Sequence, residues 1–408
     1  MTKYEKSPWV DRFPRARAPE YARQRGSVQS DVAIVGGGLT GCVTAYALAA
    51  AGVKVSLVEA AQVGRGHTGS SLGLLAEEPG VPFLEAEKTM GRRAARDAFH
   101  VWRRAALDMS ALLRRLDIKC ALAPQPAITV AITPEQAARL KREQKARRDA
   151  GLDAPLLPAA TIRGEVAIEG LSAIRDKAAA VLDPYKACLG VAAAAEKAGA
   201  RLFERSPVKR VTFGRRTVDV FTAGGTVRAG HVIVATGVPT ALFRSLARHF
   251  SFRSTYFALT GRVPSKIRQE LGRRSAVVRD MAEPPHVIRW LDDERLMVGG
   301  ADSASPPDKL RAKAVVQRTG QLMYELSTVY PAISGTPPEY GWEAPYARTT
   351  DGLPYIGPHR NFPRHLFAFG DASRTLAGAY LASRILLRQV LDEVDPADAA
   401  FEFTRHGR

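Results

Sequence analysis

The sequence predicts a mixed α/β fold in which a domain built on an antiparallel sheet is inserted into a domain built on a parallel sheet. Three observations lead to this prediction. Residues 31–60 read as a strand–helix–strand unit, with an apolar run at each strand and an alanine-rich helix between them. Residues 252–331 begin with strand-like runs separated by turns, which is typical of antiparallel sheet. The tail returns to a buried strand over 365–371 and a long helix.

The composition is that of a folded globular protein. The chain has 408 residues, of which 46% are hydrophobic and 25% charged, values that exclude a disordered or fibrous protein. This length is typical of two or three domains. No apolar run is long enough to span a membrane, and residues 1–30 lack a signal-peptide core. The cysteines Cys42, Cys120 and Cys188 lack metal-ligand spacing, so we expect a cytoplasmic protein without a metal.

The net charge is the unusual feature, because 59 basic residues stand against 41 acidic ones and give +18. A nucleic acid or an anionic surface as partner would explain this excess. The alternative is a solvated surface rich in arginine. The arginines occur on outer helix faces and loops throughout, and the most basic helix, 134–151, carries no aromatic residue for base stacking. The pattern favours the solvated surface.

The remaining elements follow from periodicity and capping. Apolar residues recur every three or four positions over 91–117 and predict an amphipathic helix. Asp183 and Pro184 begin another helix. The polar residues 1–30, rich in proline and arginine, predict a surface arm. Further strands are predicted at 126–132, 201–213, 217–223 and 231–237, and further helices at 134–151 and 309–330.

The strongest motif is Gly-x-Gly-x-x-Gly at Gly36, Gly38 and Gly41, after a strand and at the start of a helix. Gly36 permits a tight turn, Gly38 lets the backbone approach a pyrophosphate, and Gly41 lets helix and strand pack closely. The pyrophosphate would meet the positive end of the helix dipole. Glu59 ends the second strand, where its carboxylate would hold ribose hydroxyls. These features predict an adenine dinucleotide and argue against NADP, without separating NAD from FAD.

Five further segments, in this order, resemble the FAD-dependent D-amino-acid oxidase family, which includes glycine oxidase and sarcosine oxidase. They are Glu204–Val208, the strand 232–237, the strand 295–302, the return segment from Trp342 to Gly357 that contains Asp-Gly-Leu-Pro-Tyr-Ile-Gly, and the terminal element Leu-Phe-Ala-Phe-Gly-Asp. They follow the small-residue loop 65–75, which resembles the loop along the isoalloxazine ring in the same family. The resemblance covers almost the whole chain. It implies a Rossmann-like FAD-binding domain of the glutathione-reductase type with an inserted antiparallel-sheet substrate domain.

The resemblance also implies domain limits and cofactor contacts. The N-terminal arm is expected at 1–30, the FAD-binding domain at 31–80, 165–245 and 340–408, and the substrate domain at 81–164 and 246–339. The residues expected at FAD are Gly36, Gly38, Leu39, Thr40, Gly41, Glu59, Ala60, Arg65, His67, Thr68, Leu72, Gly73, Leu74, Val208, Ala235, Thr236, Gly237, Gly370, Asp371, Ser373, Arg374, Thr375 and Leu376. Sarcosine oxidases attach flavin to a cysteine where this chain has Ala344, so we expect non-covalent FAD.

Two other sites depart from the family pattern. Amino-acid oxidases of the family grip the substrate carboxylate with an arginine where this chain has Tyr346, and Arg348 lies about 6–7 Å further along the strand. Arg374 stands where relatives have His or Asn, and would stabilise an anionic reduced flavin. In this interpretation Ser373 and Thr375 supply hydroxyls to the helix start. The other interpretation is a degenerate loop with weaker flavin binding.

The function that the resemblance implies is oxidation of a C–N bond in a small amine or amino acid. A hydride passes to flavin N5 and the imine product hydrolyses, so the protein supplies orientation and a dry pocket. The residues expected at the pocket are Arg374, Tyr256, His286, Arg289 and Tyr346. All but Arg374 also have a structural interpretation, and Arg289 could instead pair with Asp292 or Asp293 at a turn.

Two other functions stay open at this point. The family includes a domain that modifies a tRNA wobble base, which a net charge of +18 would suit. The altered loop 370–378 would suit a non-catalytic or electron-passing flavin subunit of a larger complex.

Overall fold

A computed structural model describes residues 1–291, 294–370, 376–393 and 395–405. Its strands, numbered along the chain, are β1 (Lys3–Tyr4), β2 (Gly26–Gln29), β3 (Val32–Val35), β4 (Val55–Val58), β5 (Leu74–Leu75), β6 (Ala123–Pro124), β7 (Ala127–Ala131), β8 (Leu156–Pro158), β9 (Ser172–Asp176), β10 (Ala180–Val181), β11 (Arg201–Phe203), β12 (Arg210–Phe213), β13 (Val218–Phe221), β14 (Gly225–Ala229), β15 (His231–Gly237), β16 (Ser251–Thr260), β17 (Val277–Arg279), β18 (Val287–Trp290), β19 (Leu296–Ala304), β20 (Pro338–Arg348), β21 (Tyr355–His359) and β22 (Phe362–Phe369).

The α-helices are α1 (Pro8–Asp11), α2 (Leu39–Ala50), α3 (His67–Ser70), α4 (Phe83–Met90), α5 (Arg92–Arg115), α6 (Pro134–Asp149), α7 (Ala159–Val166), α8 (Pro184–Lys197), α9 (Ser265–Glu270), α10 (Arg311–Val329) and α11 (Ala377–Val390). Short 3-10 helices cover Arg15–Arg17, Ala241–His249, Asp308–Leu310, Pro331–Ile333 and Pro396–Phe401. Within the described ranges, no helix combines the length and the apolar composition that crossing a membrane requires.

The predicted strand–helix–strand unit is confirmed and lies at the centre of a six-stranded sheet. The strand order is β11-β4-β3-β15-β22-β21, and every neighbouring pair is parallel except β21 with β22. Side chains alternate across β3: Ile34 joins the core that includes α2, α8 and α11, whereas Ala33 and Val35 pack toward the four-stranded sheet β12-β13-β14-β2. Both faces of the sheet are covered, which explains the unbroken apolar runs in the sequence.

The predicted antiparallel sheet is also confirmed, with nine strands in the order β1-β20-β16-β19-β18-β17-β7-β9-β8. Its neighbours are antiparallel except for β1 with β20 and β17 with β7. One face packs against α10 and has its own hydrophobic core. The opposite face joins the core that contains α2, α8 and α11 of the six-stranded sheet. We call these the α10 face and the cofactor face.

Residues 1–30 do not form the separate arm that their composition predicts. β1 pairs with β20 and β2 pairs with β14, while Trp9 and Tyr21 are buried. Pairing also moves the expected domain limits, because β9 and β20 belong to the nine-stranded sheet. We therefore propose that the substrate domain includes residues 172–176 and extends to residue 348. Local sequence does not show these pairings, since the partner strands are distant in the chain.

The most basic predicted helix is α6, and Arg147 in its last turn is buried, whereas the neighbouring Arg148 is exposed. Arg147 Nη1 lies 2.6 Å from Glu78 Oε2, and Arg279 forms an ion pair with the same carboxylate. Arg147 Nε donates to Glu143 Oε1 at 2.7 Å. Burial, together with the negative charge of Glu78, raises the pKa of Asp176 to about 8. Asp176 therefore holds a proton more readily than an ordinary carboxyl group does, which reduces the negative charge buried beside the two guanidinium groups.

Two predicted pocket residues, Tyr256 and His286, lie on the α10 face, away from the expected cofactor residues. Tyr256 is buried, and the guanidinium of Arg318 in α10 lies 5.9 Å from its ring centre. His286 lies between two carboxylates, with Nδ1 at 2.6 Å from Asp280 Oδ2 and Nε2 at 2.8 Å from Glu325 Oε2. Alternation along the strands decides this placement. The structure therefore brings neither residue to the cofactor segments.

We expect His286 to make the stability of the protein depend on pH. Burial alone would lower the pKa of His286, but the hydrogen bonds and charges of Asp280 and Glu325 raise it above the ordinary value of about 6.5. The folded protein thus binds the proton more tightly than the unfolded chain does. This stabilisation is present below about pH 6.5 and is lost as the pH rises through the folded-state pKa.

The substitution His286→Gln should lower the free energy of unfolding by about 1 kcal/mol near pH 6, and by clearly less near pH 9, in urea titrations. His100→Gln, at an exposed position of α5, is the control and should change stability at neither pH. An equal loss for His286→Gln at both pH values would contradict the prediction.

Candidate active site

The Gly-x-Gly-x-x-Gly loop joins β3 to α2, and its glycines allow very close backbone contacts. Gly36 has a φ of +111°, and a Cβ there would lie 2.6 Å from the carbonyl oxygen of Ala235. A Cβ at Gly41 would lie 1.9 Å from the carbonyl oxygen of Gly36. Both neighbours are backbone atoms, so no side-chain movement would relieve a clash. The loop consequently packs against the end of β15, where Thr236 and Gly237 follow.

Gly38 leaves space beside the first turn of α2. Among the described residues, the one atom within 4 Å of a Cβ at Gly38 is Thr68 Oγ1, at 3.2 Å. This hydroxyl accepts a hydrogen bond from the N–H of Leu39 at 2.9 Å and replaces the side-chain cap that α2 lacks. Further first-turn amides, including that of Thr40, have no partner within the helix. An opening beside a positive helix end fits the pyrophosphate of FAD.

Glu59 directly follows β4, and two backbone N–H groups hold its carboxylate. Oε2 accepts from Gly37 at 2.7 Å and Oε1 accepts from Ala61 at 2.8 Å. These bonds fix the carboxylate beside the glycine loop and leave acceptor capacity for ribose hydroxyls. Two neighbouring predicted contacts, Ala60 and Arg65, are exposed.

The predicted adenine segment runs next to Glu59. The N–H of Glu59 donates to the carbonyl of Phe203 at 2.8 Å, and the N–H of Ser206 donates to the carbonyl of Glu59 at 2.9 Å. Two residues later comes Val208, which is half-buried. The structure thus brings the residues expected at adenine and at ribose to one end of the sheet.

The loop expected along the isoalloxazine ring forms α3 and β5. A Cβ at Gly237 would lie 3.3 Å from His67 Nδ1. Burial lowers the pKa of His67, and a backbone hydrogen bond at Pro345 only partly opposes this, so the imidazole is neutral at physiological pH. Leu72 and Gly73 are buried, and among the described residues the structure records no acceptor for their backbone N–H groups. Buried amides without acceptors fit the polar edge of a flavin.

The segment after β22 is bonded at both of its described ends, first to the end of β15 and then to the loop 65–75. The N–H of Gly370 donates to the carbonyl of Gly237 at 3.0 Å, and the N–H of Leu376 donates to the carbonyl of Leu74 at 2.8 Å. The intervening predicted residues Asp371, Ser373, Arg374 and Thr375 lie outside the described residues. The role of Arg374 beside the flavin therefore stays a prediction.

Polar side chains also cluster on the cofactor face, next to Pro345 of β20, whose backbone forms a hydrogen bond with His67. Tyr346 follows Pro345 in β20, and its hydroxyl donates to Asp302 Oδ2 in β19 at 2.6 Å. Arg253 of β16 lies opposite Tyr346 in the strand register and thus shares its face. Arg253 Nη2 donates to the carbonyl of Asp302 at 3.4 Å. Sequence reasoning missed Arg253 and Asp302, because only the register places them beside Tyr346.

Arg348 does not take over the position of the missing arginine. It ends β20, and its half-exposed side chain forms an ion pair of 3.6 Å with Glu85 of α4. Ala344 is fully buried and has no nucleophilic atom, so non-covalent binding of FAD stays the prediction for this site.

Arg289 faces the backbone of the loop 65–75, which we call the flavin loop. Its buried Nη1 donates to the carbonyl of Leu72 at 2.8 Å and to that of Gly73 at 2.7 Å. The predicted turn partners Asp292 and Asp293 lie outside the described residues.

We expect Gly41→Ala to disrupt the dinucleotide loop, because the new methyl group would overlap the carbonyl of Gly36. The substitution should lower the free energy of unfolding by about 2–3 kcal/mol and weaken FAD binding, as measured by urea unfolding and FAD titration. Gly320→Ala is the matched control: the site is exposed within α10, its Cβ has no neighbour within 4 Å, and the change should stabilise the protein by about 0.5–1 kcal/mol. Equal effects at both positions would contradict this account.

Comparison with known proteins agrees with this geometry. Among curated relatives, gamma-glutamylputrescine oxidoreductase of Escherichia coli (strain K12) is 26% identical over 379 residues, which cover 91% of this chain and 86% of that protein. Glycine oxidase of Bacillus licheniformis is 26% identical over 349 residues, covering 83% and 87%. The crystal structure of glycine oxidase from Geobacillus kaustophilus has a TM-score of 0.75 at 22% identity, covering 93% of this chain and 99% of that one, and this likeness shows the shared fold.

The family model described as FAD dependent oxidoreductase matches residues 31–389, which is most of the chain. The matched range includes the glycine loop, Glu59, the loop 65–75 and the return into the six-stranded sheet. FAD is therefore the cofactor. The chain belongs to the FAD dependent oxidoreductase family, the D-amino-acid oxidase family that its sequence resembles.

Proposed function

We propose that the chain oxidises a C–N bond of a small amine or amino acid. The observation that carries this proposal is the cluster of polar side chains on the cofactor face, formed by Tyr346, Asp302 and Arg253. The cluster lies next to Pro345, whose backbone forms a hydrogen bond with His67. Two relatives support the substrate class by their names, since one is an oxidoreductase of gamma-glutamylputrescine and the other oxidises glycine.

Binding and orientation are the tasks of the chain in this reaction. FAD, when bound, supplies an acceptor for a hydride from the carbon next to nitrogen. Arg253 and Asp302 place one positive and one negative side chain at the same end of the sheet, which suits the carboxylate and ammonium groups of an amino acid. The bond from Tyr346 to Asp302 fixes the phenol oxygen at a defined position. His67 is neutral and adds no charge beside the flavin loop.

Aromatic packing on the same face excludes water from the site. Phe257 stacks on Trp342, with ring centres 5.2 Å apart and an angle of 24° between the planes. Both rings are almost fully buried. These two rings form a water-excluding side of the proposed substrate pocket, which favours oxidation over side reactions with solvent.

We also propose that the protein works in a reducing compartment such as the cytoplasm. All three cysteines are free and buried. Cys188 Sγ donates a hydrogen bond to Cys42 Sγ at 3.8 Å, and the two thiols form no disulfide. Free thiols at this separation are typical of intracellular proteins.

The experiment that tests the proposed reaction is anaerobic mixing of the purified protein with a panel of small secondary amines and D-amino acids. At least one compound should bleach the oxidised-flavin absorption, and acid precipitation should leave all flavin in the supernatant. A yellow protein that only dithionite reduces would favour the electron-passing subunit. RNA that copurifies at low salt and is lost at high salt would favour the tRNA reaction.

A pair of tyrosines tests where the substrate binds. Tyr346→Phe removes the hydroxyl that donates a hydrogen bond to Asp302 on the cofactor face. It should raise KM or lower kcat by about tenfold. Tyr256→Phe removes a hydroxyl from the α10 face of the same sheet and should leave both constants within about twofold. Steady-state kinetics with the best substrate of the panel measures both variants. Equal losses would contradict the placement.

A further inference from the structure

Three side chains from distant parts of the chain bind four consecutive carbonyl groups of the flavin loop. We call them the carbonyl clamp: Trp9, Arg289 and Trp342. Trp342 Nε1 donates to Ser70 O at 2.9 Å, Trp9 Nε1 to Ser71 O at 2.9 Å, and Arg289 Nη1 to Leu72 O at 2.8 Å and Gly73 O at 2.7 Å. All three side chains are buried. Each of these four carbonyl groups therefore has a buried side-chain donor.

Arg289 is the central member of the clamp. It lies on the cofactor face of β18 and also donates to the carbonyl of Leu182 at 3.3 Å. Its guanidinium carbon is 5.5 Å from the ring centre of Trp9, which places two clamp members in contact.

The shape of the loop depends on this guanidinium. Gly73 has a φ of +75°, and a Cβ there would lie 2.8 Å from Arg289 Nη1 and 2.3 Å from the carbonyl oxygen of Leu182. Only glycine permits that approach without strain.

The clamp also determines where the loop amides point. In a trans peptide the C=O and the following N–H point in opposite directions. Trp9 holds the carbonyl of Ser71, so the N–H of Leu72 points away from Trp9. Arg289 holds the carbonyl of Leu72, so the N–H of Gly73 points away from Arg289. These are the two buried amides for which the structure records no acceptor in the part of the chain that it describes.

We propose that Arg289, supported by Trp9 and Trp342, is a positioning residue that aims the N–H groups of Leu72 and Gly73 at the bound flavin. Two aligned donors at the polar edge of a flavin strengthen its binding and stabilise negative charge on its reduced form. The loop thus becomes specific for a flavin through the side chains that bind its carbonyl groups.

The test compares Arg289→Met with Arg295→Met, both read by FAD titration of the apoprotein and by the visible spectrum of the bound flavin. Arg289→Met should raise the FAD dissociation constant about ten- to a hundredfold, shift the flavin absorption maxima and make the reduction potential more negative. Arg289→Lys retains a donor and should fall between this variant and the wild type. Arg295 is a matched control, because its largely buried guanidinium bonds Glu339 at 2.6 Å instead of the loop.

Trp9→Phe provides a second measurement in case Arg289→Met fails to fold. It keeps an aromatic ring beneath the guanidinium but loses the N–H that holds Ser71, and should weaken FAD binding severalfold with a shifted spectrum. Wild-type affinity and spectrum in Arg289→Met or, if that variant does not fold, in Trp9→Phe would overturn the proposal. An equal loss in Arg295→Met would do the same. Because FAD is the one ligand used, these results are independent of the proposed C–N oxidation.

Discussion

Hydrogen bonds to the loop 65–75 connect the glycine loop of the six-stranded sheet with the nine-stranded sheet: Thr68 accepts from Leu39, whereas Arg289 and Trp342 donate to loop carbonyl groups. Residues 70–73 comprise the end of α3 and the irregular backbone that precedes β5, and among the described residues no strand pairs all of their carbonyl groups. A buried carbonyl without a donor would cost about 1–3 kcal/mol, so each one needs a partner. Indole and guanidinium groups meet this need well, because they donate only and hold a fixed direction. The rest of the cofactor site is arranged around the loop that they hold.

The donors come from parts of the chain that are far apart in sequence. Trp9 belongs to α1, Arg289 to β18 and Trp342 to β20, so the loop acquires its final shape only when these three segments meet it. The N-terminal residues are accordingly integrated into the fold rather than extended as an arm, with β1 in the nine-stranded sheet and β2 in the four-stranded sheet. A local distortion of any of these three segments would therefore shift the loop backbone and weaken its contacts with the cofactor.

Much of the cofactor site could be predicted from the sequence, because local constraints define it. The glycine loop, Glu59 and the helix start are close in sequence, and their spacing alone implies the turn, the helix and the strand that the structure shows. The family match over residues 31–389 adds FAD. The substrate side was harder to predict because it depends on strand register. Along a strand, a shift of one residue moves a side chain to the other face.

Two neighbouring positions on the large sheet illustrate that difficulty. Tyr256 and Phe257 are consecutive, yet Phe257 stacks on Trp342 on the cofactor face while Tyr256 lies against α10. The alternation was visible in the sequence, but the face that the cofactor occupies was not, since α10 covers one side only after the sheet has formed. Arg253 and Asp302 are likewise recognisable beside Tyr346 only when β16, β19 and β20 are aligned.

The arginine content has a related explanation, which concerns burial rather than number. Arg405 binds the buried carboxylate of Asp351 through Nε and Nη2 at 2.6 and 2.8 Å, and it also donates to the carbonyls of Leu353 and Pro354. Arg289 likewise binds several carbonyl groups at once. A guanidinium can do this because its donors form a rigid planar fork, which a lysine lacks. The net charge of +18 therefore describes mainly the surface. The arginine that shapes the cofactor site is Arg289, which is buried and donates to backbone carbonyl groups.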